Sequence, residues 1–357
     1  MKSLFAVLLL CLGLAVHAVE AVPQPGTEPE IAGMTVDKAV ATFHPDIFAL
    51  DAQKRPVHRI TDSFFTPASD IARAVSYNTW FNVLVFLPFL ILPQVLLIYI
   101  IFKFRKRADG RKPATFTGNH TLEIVWTAIP CLALAVVSVP VWSLLWKMEL
   151  PPPDQDKALV VAVNGKKYAW DYRYFRDDIE VGQDVVGNQE PLVLEKGRVT
   201  ILNITSNDVN HAWYVPSFGV KKDAIIGRYT NAWFTPDTVG VFKGNCFELC
   251  GEGHGVMFIS AVVVEPEQFA LWTDLQQRRA SVLKVWGAVR DGAGLDETVA
   301  SYLAKDGSAA ARFALRYWVA LNLESQCRKP PQGKDAVTMR AAVAPARAAL
   351  DRALTVH

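Results

Sequence analysis

Residues 246–257 read CFELCGEGHGVM, and they lie between two β-patterned runs, VGVFKGN (239–245) and FISAVVVE (258–265). That placement makes the segment a loop at one end of a β-sandwich, where a rigid scaffold commonly presents its functional groups. Two thiols, an imidazole and a thioether fall within twelve positions of a chain that has 5 cysteines and 7 histidines. A disulfide would employ only the two cysteines, and a structural zinc site has no use for the thioether of Met257. Thiolate, imidazole and thioether together suit copper.

A second imidazole must come from elsewhere. His17, His44, His58, His120 and His357 lie outside the β-patterned region, which leaves His211, directly after the strand-like RVTILNI (198–204) and a turn-rich stretch. A mononuclear electron-transfer copper takes two imidazoles, one thiolate and a weak axial thioether. Here there is one thiol more. If Cys246 and Cys250 both bridge, two copper ions each receive one imidazole, from His211 or His254, and one weak ligand. Met257 supplies one of these, and a backbone carbonyl between the cysteines, that of Glu248, supplies the other. A Cys246–Cys250 disulfide in an exported domain and a Cys2His2 zinc site remain the competing readings.

Working outward, ALVVAV, YAWDYRYF, PLVLE, RVTILNI and FISAVVVE are short runs rich in β-branched and aromatic residues, broken by Gly, Asn, Asp and Pro. They predict an all-β, Greek-key sandwich over residues 157–265. The preceding ELPPPDQD reads as a stiff linker (149–156), and residues 266–357 read as a mainly helical C-terminal extension in which Cys327 has no metal-site neighbours.

The chain is 51% hydrophobic, more than an ordinary soluble domain. WFNVLVFLPFLILPQVLLIYIIF (80–102) and IVWTAIPCLALAVVSVPVWSLLW (124–146) are uncharged and long enough to cross a bilayer as helices, with prolines expected to kink them. They predict a transmembrane hairpin over 76–148. The intervening KFRKRADGRK carries six basic residues against Asp109, which places that loop in the cytoplasm and both termini outside. Residues 1–21 have the lysine, apolar run and small residues of a signal peptide, leaving 22–75 as an exported segment. No C-x-x-C-H string for attached haem occurs.

With these residues in view, the chain closely resembles cytochrome c oxidase subunit II over about residues 75–275. HTLEIVWTAIP (120–130) is similar to the start of that family's second helix, DVNHAWYVPSFGVKKDAIIGR (208–228) to its first-histidine segment, and CFELCGEGHGVM to its copper loop. The resemblance implies a membrane subunit with a cupredoxin domain, whose dinuclear copper A centre takes electrons from cytochrome c and passes them to haem a of subunit I. Subunit I would hold the haems, reduce dioxygen to water and pump protons, beside subunit III, in the inner membrane of a bacterium. By carry-over, His211, Cys246, the Glu248 carbonyl, Cys250, His254 and Met257 bind copper. The Glu248 side chain helps bind a magnesium ion shared with subunit I. Glu123 stands at the mouth of a proton channel, and Asp208 and Asp223 fall at donor-docking positions. No nucleic acid is implied.

The chain also departs from the family. Tyr168 stands where a tryptophan usually receives the electron, with Trp170 kept two residues on, and Lys166, Lys167, Lys221, Lys222 and Lys243 add positive charge nearby. These departures predict an altered donor. Quinol oxidase subunits lack the copper ligands found here, and a membrane-tethered copper assembly protein is the competing reading from another class.

Overall fold

The computed structural model describes residues 30–45, 66–105, 117–181, 190–291, 294–328 and 336–356. The expected signal peptide and most of the basic loop lie outside them. Helix α1 (Val36–Phe43) begins at Thr35, whose hydroxyl accepts from the Lys38 amide, and it buries Val36, Ala39, Val40 and Phe43. That spacing is the single apolar face of a surface helix.

Two long helices follow, α2 (Asp70–Lys103) and α3 (His120–Glu149). Both extend past the apolar stretches, because polar residues outside the span cap them: Ser69 accepts from the Ala72 amide at 3.0 Å and Asn119 from the Leu122 amide at 3.2 Å. Each helix runs unbroken through its prolines, Pro88 and Pro93 in α2 and Pro130 and Pro140 in α3. In their most apolar stretches only 0% and 11% of residues are buried. Such outward apolar surface belongs in lipid, where only a helix satisfies its own backbone.

The hairpin is clasped to the β domain at one end. Ser69 Oγ donates to the Phe218 carbonyl at 2.8 Å, the Asp70 carboxylate accepts from the Thr235 amide at 2.9 Å and pairs with Lys147 at 3.2 Å, and Arg73 pairs with Asp237. Trp233 Nε1 donates to the Leu150 carbonyl at 2.8 Å. Gly219, at φ +71°, lies so near α2 that a Cβ there would stand 2.6 Å from Ala72 Cα. Backbone meets backbone at that point.

The β domain is a sandwich of two five-stranded sheets, ordered β3-β2-β1-β5-β8 and β4-β10-β9-β6-β7. In the first sheet are β1 (Leu159–Lys166), β2 (Ala169–Tyr174), β3 (Ile179–Val181), β5 (Thr200–Ser206) and β8 (Thr230–Phe234). The second holds β4 (Leu192–Glu195), β6 (His211–Val215), β7 (Val220–Ala224), β9 (Gly240–Cys246) and β10 (Phe258–Val264). Non-consecutive neighbours, including the parallel pairs β1·β5 and β10·β4, give the crossed connectivity expected of a Greek key. Alternate residues Leu159, Val161 and Val163 of β1 are buried, as are Trp170, Tyr172 and Tyr174 of β2. β3 and β6–β8 escape a composition reading: β7, VKKDA, is polar along most of its length and pairs through its backbone.

The C-terminal region is more than a tail. α4 (Pro266–Asp291), α5 (Leu295–Leu303), α6 (Ala309–Arg328) and α7 (Ala336–Val356) pack as a bundle with a core that includes Trp272, Phe313, Tyr317 and Trp318. The N-terminal α1 completes it, with His44 Nε2 at 2.9 Å from the Tyr317 hydroxyl and Asp37 paired with Arg347 at 2.8 Å. Cys327 is buried in α6. Tyr174 of the sandwich packs against Trp272 of α4 with ring centroids 4.8 Å apart, and Arg279 pairs with Glu190 at 2.8 Å.

Candidate metal centre

Sheet register assembles the site. β6 pairs with β9 so that Trp213 lies opposite Cys246, and the Phe247 amide donates to the Ala212 carbonyl at 3.0 Å. This brings His211, the first residue of β6, to the last residue of β9. The loop after β9 then folds back: the Cys246 amide donates to the Met257 carbonyl at 3.0 Å, and a turn of 3-10 helix over His254–Val256 follows Gly251 and Gly253.

The donor atoms form two matched halves. Cys246 Sγ and Cys250 Sγ are 3.9 Å apart, nearly twice a disulfide bond, and both thiols are free. Cys246 Sγ has His211 Nδ1 at 3.8 Å and the Glu248 carbonyl at 3.3 Å. Cys250 Sγ has His254 Nδ1 at 3.5 Å and Met257 Sδ at 3.9 Å. Each sulfur thus carries one imidazole nitrogen and one weaker donor. His211, Cys246 and Cys250 form a compact, buried trio able to hold a metal, and His254 adjoins it through Cys250. Two soft ions sharing the sulfurs fit this donor set, and the thioether has a place in it that a zinc site would not give it.

The surroundings hold the ligands in place. His211 is fully buried, its Nε2 lies 2.9 Å from Asp208 Oδ1, and Trp170 meets its ring edge-on at 6.0 Å between centroids. A carboxylate on the second imidazole nitrogen fixes the ring and its tautomer. Gly165 leaves room for that ring, since a Cβ there would be 2.9 Å from His211 Cδ2. Burial pushes the Cys246 thiol up, but hydrogen bonds from His211 and from backbone amides outweigh it and bring the group to about 7. Burial and the neighbouring Cys246 push Cys250 up to about 12. Without a cation between them, the two sulfurs resist ionising together.

The other candidate residues fall elsewhere. Tyr168 is half-buried and lies flat on the loop: a Cβ on Gly253 would be 2.3 Å from its ring, and one on Gly251 would be 2.7 Å from its hydroxyl. The Glu248 side chain is exposed. Glu123, in the first turn of α3, is 3.4 Å from His120 at the opposite end of the hairpin from the β domain. Asp223 sits on β7, 3.9 Å from Lys221. Asp208, expected at a docking position, also has its carboxylate turned to the Lys167 and Val209 amides, each at 2.6 Å. Gly165 and the Tyr168-bearing glycines were not singled out from sequence, where nothing local marks them.

Comparison with known proteins gives one answer. Residues 159–265 match the family described as cytochrome c oxidase subunit II, periplasmic domain, and residues 62–144 match its transmembrane domain. The chain is 33% identical over 200 residues to the probable cytochrome c oxidase subunit 2 of Rickettsia bellii, covering 52% of this chain and 73% of that one. It is 29% identical over 256 residues to cytochrome c oxidase subunit 2 of Cereibacter sphaeroides, covering 62% and 82%. A crystal structure of the periplasmic domain of subunit II of cytochrome oxidase from Bradyrhizobium japonicum shares 33% identity over 36% of this chain and 97% of that one, with a TM-score of 0.33. Family and cluster together support a copper A centre. The chain is a membrane protein with a periplasmic domain and two helices able to span the bilayer, and it belongs to the cytochrome c oxidase subunit II family, as subunit II of a haem-copper oxidase.

Proposed function

We propose that this chain receives electrons for the oxidase, and that His211, Cys246, Cys250, His254, Met257 and the Glu248 carbonyl hold two copper ions. The observation that carries this reading is the matched pair of sulfurs 3.9 Å apart, each with its own imidazole nitrogen. When bound, the copper pair supplies one-electron chemistry between a reduced c-type cytochrome and haem a of subunit I, where dioxygen is reduced to water with proton pumping. The protein supplies rigidity and dryness. Cys246 and Cys250 would supply the thiolate charge that holds the ions, Asp208 orients His211, and Trp170 keeps water from its ring.

The exposed Glu248 side chain is the residue we assign to a magnesium ion at the subunit I interface. A groove of about 550 Å³ between α2 and β6, lined by Thr79, Trp80, Val83, Tyr214 and Gly219, is the face we assign to subunit I. Beside it, Phe247 meets the Tyr214 ring edge-on with centroids 4.7 Å apart, and Leu249 of the copper loop is exposed. Glu123, at the other end of α3, is placed to serve a proton channel of that subunit, and subunit III completes the partners. The packing of the α1 segment against α6 and α7 supports a topology with both termini and the copper domain on the periplasmic side of the inner membrane.

Electron paramagnetic resonance on the copper-loaded membrane protein tests the reading. An unpaired electron shared by two copper nuclei is expected, and a single-nucleus hyperfine pattern would overturn it. Co-purification with a haem-containing subunit I separates an oxidase from a copper assembly protein.

A further inference from the structure

The β1–β2 turn touches both halves of the donor set. On one side the Lys167 amide donates to Asp208 Oδ2 at 2.6 Å, and Asp208 Oδ1 lies 2.9 Å from His211 Nε2. On the other side the next residue, Tyr168, lays its ring against the loop between Cys250 and His254. The two imidazoles are not held alike. His211 is fully buried with a carboxylate on its second nitrogen, whereas among the described residues the half-buried ring of His254 meets sulfur and no carboxylate. Whatever fixes His254 must act through its loop.

The glycines of that loop show what does so. Gly251 has φ +123°, a backbone that favours glycine whatever surrounds it. Gly253 has φ −87° and ψ 9°, the values of the third position of a type I turn, where most residues are accepted. Its backbone therefore does not ask for glycine, but the ring above it does. The three atoms nearest a Cβ on Gly253 all belong to the Tyr168 ring, at 2.3, 2.4 and 2.6 Å. Two residues on, a Cβ on Gly255 would meet nothing within 4 Å. Tyr168 and Gly253 fit as ring and seat, on the residue next to His254.

We infer that Tyr168 is a positioning residue for the Cys250–His254 half of the site, clamping its loop by ring contact so that bound metal is released slowly. The inference rests on the copper reading above and adds what retains the ions. Tyr168 does for His254, through the loop, what Asp208 does for His211 directly. A rigid ring with few torsions loses little entropy when pinned and covers much of the backbone beneath it. Without it, a stretch with two glycines in three residues regains its conformational freedom. Ring carbons make the contact with Gly253, so the phenol hydroxyl is dispensable to the clamp.

Copper release from the assembled oxidase to bathocuproine disulfonate tests this, together with the paramagnetic signal. Tyr168→Ala should release copper about 10–100-fold faster, the scale on which supporting contacts act at metal sites, and should make the hyperfine splittings of the two copper nuclei unequal. Tyr168→Phe keeps the ring and should match the parent in both. Gly253→Ala should also speed release, and Gly255→Ala should not. In the double variant Gly253→Ala should add nothing to Tyr168→Ala, because the atoms it would strike are gone. Release at the parent rate from Tyr168→Ala overturns the inference. So does a Tyr168→Phe variant as leaky as Tyr168→Ala, and so do additive effects at 168 and 253. Amide exchange across residues 251–257 of the copper-free protein separates this inference from the reading beneath it, since exchange should quicken in Tyr168→Ala whether or not metal binds. Unchanged exchange overturns the clamp, and a parent that takes up fewer than two copper ions overturns the copper reading.

Discussion

Strand β2 touches two different worlds within five residues. At its start Trp170 abuts His211 in the metal centre, and near its end Tyr174 abuts Trp272 in the helical bundle. Both side chains are fully buried and both point to the same face of the sheet. At the first contact the buried partner is an imidazole that itself faces a thiol, and the pair of thiols behind it needs a cation to ionise together. At the second the partners are apolar rings that need nothing but each other. Burial is therefore shared by the two ends, and chemistry belongs to one.

The sharpest way to break this comparison is Cys250→Ser. Loss of a supporting contact around a metal site typically weakens it by about 10–100-fold, and a bridging ligand should exceed that. Copper-dependent turnover and the copper signal should vanish, measured by oxygen uptake and resonance spectroscopy, while the bundle stays folded. At the opposite end, Trp272→Ala should cost about 3–5 kcal/mol of stability, measured by thermal or denaturant unfolding, and leave the copper signal of the surviving protein unchanged.

Gly165→Ala sits between these extremes. Its new methyl would press on His211 at 2.9 Å and on Trp170 at 3.2 Å. Overpacking of this kind costs about 1–3 kcal/mol. It should appear as faster copper loss to a chelator as well as lower stability, because the displaced atom belongs to a proposed copper ligand.

The smallest expected effect is electrostatic and belongs to the bundle. The Ser308 amide and the Arg278 guanidinium hold the Asp306 carboxyl at about 2, below its ordinary value. A depressed carboxyl stabilises the folded state at pH values above its unfolded pKa, and that contribution fades as pH falls from about 4 towards 2. Acid titration followed by circular dichroism should show a slightly shallower loss in Asp306→Asn than in the parent, with no change at neutral pH in the copper spectrum.

Much of this was legible in the chain. The hairpin could be read because each span is a contiguous apolar run, and five of the six proposed ligands because they crowd into residues 246–257. His211 emerged by elimination among seven histidines. The helical bundle was legible only as helix. Its core depends on α1 reaching α6 across 273 residues of sequence, through His44 and Tyr317, and no local periodicity signals that partnership. The role of Asp208 was equally hidden, since an acidic residue in a turn looks the same whether it faces a partner protein or an imidazole.

By itself, then, the sequence determined which residues could bind copper and which segments belong in lipid, since both follow from neighbours in the chain. Only the tertiary structure decided that His211 serves Cys246 while His254 serves Cys250. That assignment is set by the register of β6 against β9, and register is a property of two strands packed on a common core.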